Sequence, residues 1–194
     1  MANTLAAFGL RHYAGSVGSN PTFERVKRKI ASNNSTKIFQ GDLVENLSTG
    51  YIAQWVNGHN VNIAAGVFDG CEYLSVSQGR RVFSNFWPGS DASGDVDAWI
   101  IPIQGQQQRF VIQSTGASAV ALTNVGNNAD ITVGTGSTVT GLSGMALAQS
   151  TINTTATFPL RIEDVYQGLG NGADTTSGNN WVVVSINWAG QTGV

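Results

Sequence analysis

Short apolar runs separated by turn-forming residues recur along most of this chain, and none is sustained at a helical period. The clearest spans 181–188. There Val182, Val184, Ile186 and Trp188 fall on one face of an extended strand, and Trp181, Val183, Ser185 and Asn187 on the other. Asn179-Asn180 supply a turn before it. Tyr51–Val56 and Val61–Phe68 flank Asn57-Gly58, a strong hairpin signal. Further strands are predicted at Thr36–Gln40, Glu72–Val76, Arg81–Phe83, Ala98–Ile103, Phe110–Gln113, Val120–Leu122, Ile131–Val133, Ser137–Thr140 and Phe158–Tyr166. Two segments are ambiguous. In 23–30, Phe23, Val26 and Ile30 lie near helical spacing, whereas Arg25, Lys27 and Lys29 alternate as a strand would. In 144–150, Met-Ala-Leu-Ala suffices for two helical turns, too few to stand alone. So many short strands between Gly and Asn turns predict an all-β fold, an antiparallel sandwich or barrel.

Residues 1–22 behave differently. They show no sustained period and contain Gly9, Gly15, Gly18 and Pro21, so they are expected to form an extended N-terminal arm ahead of a β-rich body over 23–194. At 194 residues the chain is long enough to bury a real core in one domain.

Charge sharpens the picture. Only 11% of residues are charged, against about 25% in ordinary soluble proteins. A folded monomer of this mass exposes roughly 9,000 Å², so the ten basic and twelve acidic side chains leave surface that is expected to be covered in the working state. Residues 1–41 carry six cations (Arg11, Arg25, Lys27, Arg28, Lys29, Lys37) and one anion (Glu24). The remainder carries four cations and eleven anions. A basic front and an acidic body suit pairing with copies of the chain or with another protein, and such pairing is salt-sensitive.

The apolar start Leu5–Phe8 is too short for a secretion signal, and no apolar run reaches bilayer length. A single cysteine, Cys71, allows no intrachain disulfide. These features predict a protein made in a cytoplasm and not in a membrane. The glycosylation-like triplets at Asn34, Asn46 and Asn153 are then chance matches.

Little in the sequence points to catalytic chemistry. His12 and His59 lack zinc spacing, and His59 reads as an exposed turn residue. Cys71 reads as a small buried hydrophobe. Asp91, Asp95 and Asp97 gather in a loop, but Val96 and Pro102 stand where a calcium loop needs Gly and Glu. Gly168, Gly170 and Gly172 follow a strand with no helix after them, so a phosphate loop is not indicated. The five Trp residues read as core or interface. No catalytic site, cofactor or metal is expected. Arg25, Lys27, Arg28 and Lys29 form the one compact basic cluster. With Arg11 they are the candidate docking residues, for an acidic protein surface in preference to nucleic acid.

Several stretches together resemble the head decoration, or capsid cement, proteins of tailed bacteriophages. They are Phe8-Gly9-Leu10-Arg11-His12, Lys29-Ile30-Ala31-Ser32, Ile38-Phe39-Gln40-Gly41-Asp42-Leu43-Val44, Gly66-Val67-Phe68-Asp69-Gly70-Cys71 and Phe86-Trp87-Pro88-Gly89, followed by Ala98-Trp99-Ile100-Ile101 and Phe110-Val111-Ile112-Gln113. The resemblance covers about residues 8–115. The family's usual Pro between Leu10 and Arg11 is missing here. It implies a non-enzymatic virion protein on the capsid exterior that ties major capsid protein subunits together, as a homo-oligomer such as a trimer. Two alternatives belong to other classes. One is a tail, fibre or receptor-binding module; the other is a glycan hydrolase using Asp95, Asp97 or Glu163, which needs two carboxylates opposed across a cleft.

Overall fold

A computed structural model of the chain describes residues 2–15, 20, 24–103, 108–170 and 172–187. It is nearly all β, with antiparallel sheets in a sandwich-like arrangement, and three short 3-10 turns are its only helical elements among the described residues.

The first sheet runs in the order β11 (Asn128–Ala129), β14 (Leu160–Val165), β15 (Trp181–Ile186), β10 (Arg109–Thr115), β13 (Ala146–Ala148) and β12 (Ile131–Thr132). One edge of β10 is shared. Its first half pairs with β1 (Arg11–Ala14), and its last two residues pair in parallel with β13. The second sheet runs β2 (Val26–Ile30), β9 (Val96–Pro102), β6 (Ala64–Leu74), β4 (Leu43–Asn46) and β5 (Ile52–Gln54), with β7 (Arg81–Ser84) on the far half of β6. A small ribbon joins β3 (Ile38–Phe39) to β8 (Phe86–Trp87).

Directly opposed residues on antiparallel strands share a face. Phe110 lies opposite Val184, Ile112 opposite Val182, Ile162 opposite Val184, and Leu160 opposite Ile186. These side chains form one apolar face, which packs on Leu43, Val67 and Ile101 of the second sheet to make the larger core. The next residues along, Val44, Phe68 and Ile100, turn the other way. The second sheet curls so that its outer strands β2 and β5 approach each other. That curl encloses a second core of Ile30, Val44, Phe68, Cys71, Ala98 and Ile100, capped by Ile38 and Trp87 from the ribbon. A bulge between Phe68 and Gly70 lets Phe68 and Cys71 face this core although they are three apart.

Several local expectations change. Asn57-Gly58 is a turn, but the strands around it do not pair; β4 lies between β5 and β6. Residues 137–140 form a turn and 122–124 a 3-10 turn. In the ambiguous 23–30 segment Phe23 lies outside the described residues and Val26–Ile30 is a strand, and 144–150 gives β13 followed by a 3-10 turn.

Residues 2–15 lie against their own chain, and Arg11–Ala14 form β1. Asn3 accepts from the Gly172 N–H at 2.9 Å and donates to the Asp174 carbonyl at 2.7 Å. The buried Gln113 amide accepts from the Ala6 N–H at 2.7 Å and donates to the Thr4 and Asn179 carbonyls, both at 2.9 Å. Leu10 enters the larger core. The expected arm's residues 1, 16–19 and 21–22 lie outside the described set.

The segment crosses the Gln40-Gly41-Asp42 corner where Gly9 and Gly41 meet. Leu10 N–H donates to the Gly41 carbonyl at 2.8 Å, and Gly9 N–H to the Met145 carbonyl at 3.2 Å. Gly9 has φ +73°, and a Cβ there would fall 2.4 Å from the Gly41 carbonyl oxygen. Only glycine tolerates both the turn and the approach.

Candidate functional site

On β2 the side chains of Lys27 and Lys29 share a face, and Arg25 just ahead of the strand continues it. That face is the outer side of the second sheet beyond the part that the first sheet covers. Asp97 of β9 sits directly across from Lys29 and takes both lysines: Lys27 Nζ lies 2.6 Å from Oδ2, and Lys29 pairs with Oδ1. Bonds from Lys27 and then Lys29 hold the Asp97 carboxyl below its usual range, and the same bond raises Lys29. Arg25 pairs with Asp69, which also accepts from Gln40 Nε2 at 3.0 Å. Even so, the Arg25, Lys27 and Lys29 side chains are 58%, 54% and 53% exposed, so each retains donors for a partner. Lys27 also lies over Trp99, 5.9 Å from the ring centroid.

Arg11 reaches the same region from the first sheet. A cleft of about 270 Å³ separates β1 from the second sheet, with Leu10, Val67, Phe68 and Ile101 beneath and Arg11, His12, Arg25, Gln40 and Asp69 around it. Arg11 packs over the Phe8 ring at 4.8 Å. Burial lowers the pKa of His12, and the nearby Asp69 charge opposes that shift.

The structure therefore brings Arg11, Arg25, Lys27 and Lys29 to one side and separates Arg28 from them. Arg28 shares its strand face with Val26 and Ile30, is exposed at the sheet edge, and has no carboxylate partner among the described residues. Asp69 and Asp97 are the partners that sequence reasoning missed. They follow the cluster by tens of residues, and only the β2–β9–β6 pairing brings them across.

The three loop carboxylates go to separate partners. Asp91 accepts from Ser75 Oγ at 2.7 Å, Asp95 from Tyr51 Oη at 2.9 Å, and Asp97 from the lysines. Glu163 belongs to the first sheet, where it accepts from Ser185 Oγ at 2.7 Å and lies 3.5 Å from Arg109. His59 is half exposed, and its Nδ1 lies 2.7 Å from the buried Glu45, a partner its turn context did not reveal. Cys71 is buried in the second core, where desolvation pushes its thiol up to about 12. Trp55 and Trp87 are core residues, Trp99 and Trp181 are half-buried, and Trp188 lies outside the described residues. Among the described residues no group of three or more His, Cys, Asp or Glu side chains is placed to hold a metal ion. Nor, among them, is any helix long and apolar enough to cross a membrane.

No protein-family model, no curated protein and no solved structure matches this chain.

Proposed function

We propose that this chain is a structural virion protein of a tailed bacteriophage, a decoration or cement protein made in the host cytoplasm and carried on the capsid exterior. Its partners are the major capsid protein and further copies of itself. The observation that carries the reading is the outer face of the second sheet. Four cations, Arg11, Arg25, Lys27 and Lys29, stand along it from the cleft to Trp99, and three of them pair with Asp69 and Asp97.

Such a face suits an acidic protein surface with an apolar element to cover Trp99. It suits nucleic acid less well, because the two carboxylates sit where phosphates would need to approach. The low charge agrees: 22 charged side chains share 9143 Å². A cement protein must resist the outward push of packaged DNA, and it does so by spanning joints between subunits in many copies at once. A stiff body with two packed cores transmits that load without yielding.

Co-sedimentation with purified shells tests this. Reversing Lys27 and Lys29 would crowd Asp97 with like charge, so the better variant is R11Q/K27Q. It leaves Arg25 on Asp69 and Lys29 on Asp97 and removes the other two cations. Wild type is expected to load DNA-free and DNA-filled shells alike. R11Q/K27Q is expected to load them less, most visibly at low salt. Wild type that binds duplex DNA but ignores empty shells contradicts the reading.

A further inference from the structure

The far end of the second sheet carries a different feature. β7 pairs with β6 along one edge, and among the described residues no strand pairs with its other edge. Natural edge strands are usually blunted by lysine, proline or a covering segment. β2 follows that rule, with Lys27, Arg28 and Lys29. β7 does not. Its sequence is Arg-Val-Phe-Ser, and Phe83 stands 71% exposed at its centre. Leu74 and Val76 at the same hairpin end are 45% and 66% exposed. The strand's one cation, Arg81, is bound to Glu72 of its own chain.

We propose that a second copy of this chain pairs with β7 across a two-fold axis, antiparallel and centred on Val82. The register follows from side-chain direction. Glu72 lies opposite Phe83 and Leu74 opposite Arg81, so these four share the outward face, while Val82 and its opposite number Tyr73 turn to the second core. A two-fold pair must keep outward residues opposite outward residues. Centring on Val82 does so and sets each Phe83 opposite the partner's Arg81.

The row across the joined sheets then reads Glu72, Phe83, the partner's Arg81, the partner's Leu74. The reverse row repeats it. Each guanidinium meets an aromatic ring and stays near its own carboxylate, so the patch is complementary to itself in charge and in shape. Centring on Phe83 instead would stack ring on ring and leave Arg81 opposite Asn85, outside the strand. A contact of this size falls below about 1,200 Å², in the range of weak complexes. It is therefore expected to be concentration-dependent in solution and to matter most where copies are crowded. The inference does not depend on the virion reading, since no shell enters its test.

Sedimentation velocity of the full chain over a wide concentration range provides that test, with circular dichroism to confirm that each variant is folded. Wild type is expected to pass from monomer to dimer. F83R sets a cation opposite the partner's Arg81 and is expected to stay monomeric, and R81E/F83R is expected to dimerise again. A second measurement fixes the register. In a C71A background, a short thiol cross-linker should join R81C chains to F83C chains in preference to either like pair. A wild type that remains monomeric throughout, an F83R chain that dimerises like wild type, or like pairs that cross-link as well as the mixed pair would each overturn the proposal.

Discussion

Replacing Leu10 with Ala asks whether the N-terminal segment is part of the fold or an appendage to it. Leu10 is 2% exposed and packs in the larger core. Its truncation removes the equivalent of about three buried methylene groups, or roughly 2.4 kcal/mol at about 0.8 kcal/mol each. If neighbours only partly collapse and leave a void of about 50 Å³, the cavity adds roughly 1.2 kcal/mol at about 24 cal/mol per Å³. The expected loss is thus about 3–4 kcal/mol, inside the usual span of about 2–5 kcal/mol for buried Leu→Ala. In a chain of this size that lowers the melting temperature by roughly 6–16 °C. Leu5 is the internal control, because it is 54% exposed in the same segment. Leu5→Ala should change stability by no more than about 0.5 kcal/mol. Urea unfolding followed by tryptophan fluorescence reads both. If Leu10→Ala is as mild as Leu5→Ala, residues 2–15 do not belong to the core and the description of the corner is wrong.

Two further outcomes follow from the geometry. Gly9→Ala places a Cβ 2.4 Å from the Gly41 carbonyl oxygen at φ +73°, so urea unfolding should show a loss of about 2–4 kcal/mol. Gly50→Ala, at φ +84° with nothing within 4 Å, should cost only about 1–2 kcal/mol. Burial raises the Cys71 thiol from an ordinary value of 9.0 to about 12. The folded state therefore holds a proton that the unfolded state gives up, so the Cys71 contribution is fully present below pH 9 and lost as pH rises toward 12. Urea midpoints measured across that window should fall for wild type and fall less for Cys71→Ala; equal slopes would show that the thiol is not desolvated.

Much of the fold was legible because strands announce themselves locally. The alternation in 181–186 puts Val182, Val184 and Ile186 on one face, and that face enters the larger core; in 23–30, where helical and strand spacings compete, Val26–Ile30 follows the strand alternation. Pairing was not legible. Asn57-Gly58 makes its turn, but a turn fixes only its own geometry, and β4 takes the place beside β6 that a hairpin would have given β5. The N-terminal segment hid for a related reason. Asn3, the Gln113 amide, one glycine crossing, the buried Leu10 and the short strand β1 each hold a different part of it, so no repeating period marks it. The candidate face was half legible. Its cations stand together in sequence, whereas Asp69, Asp97 and Trp99 reach them only through the sheet.

The central claim concerns where the protein sits, and electron microscopy of intact particles with gold-labelled antibody fragments against this chain addresses it directly. Label spread over the capsid exterior, at many sites per head, is the expected result. Label confined to the tail or its tip, or particles that carry none, would contradict the account.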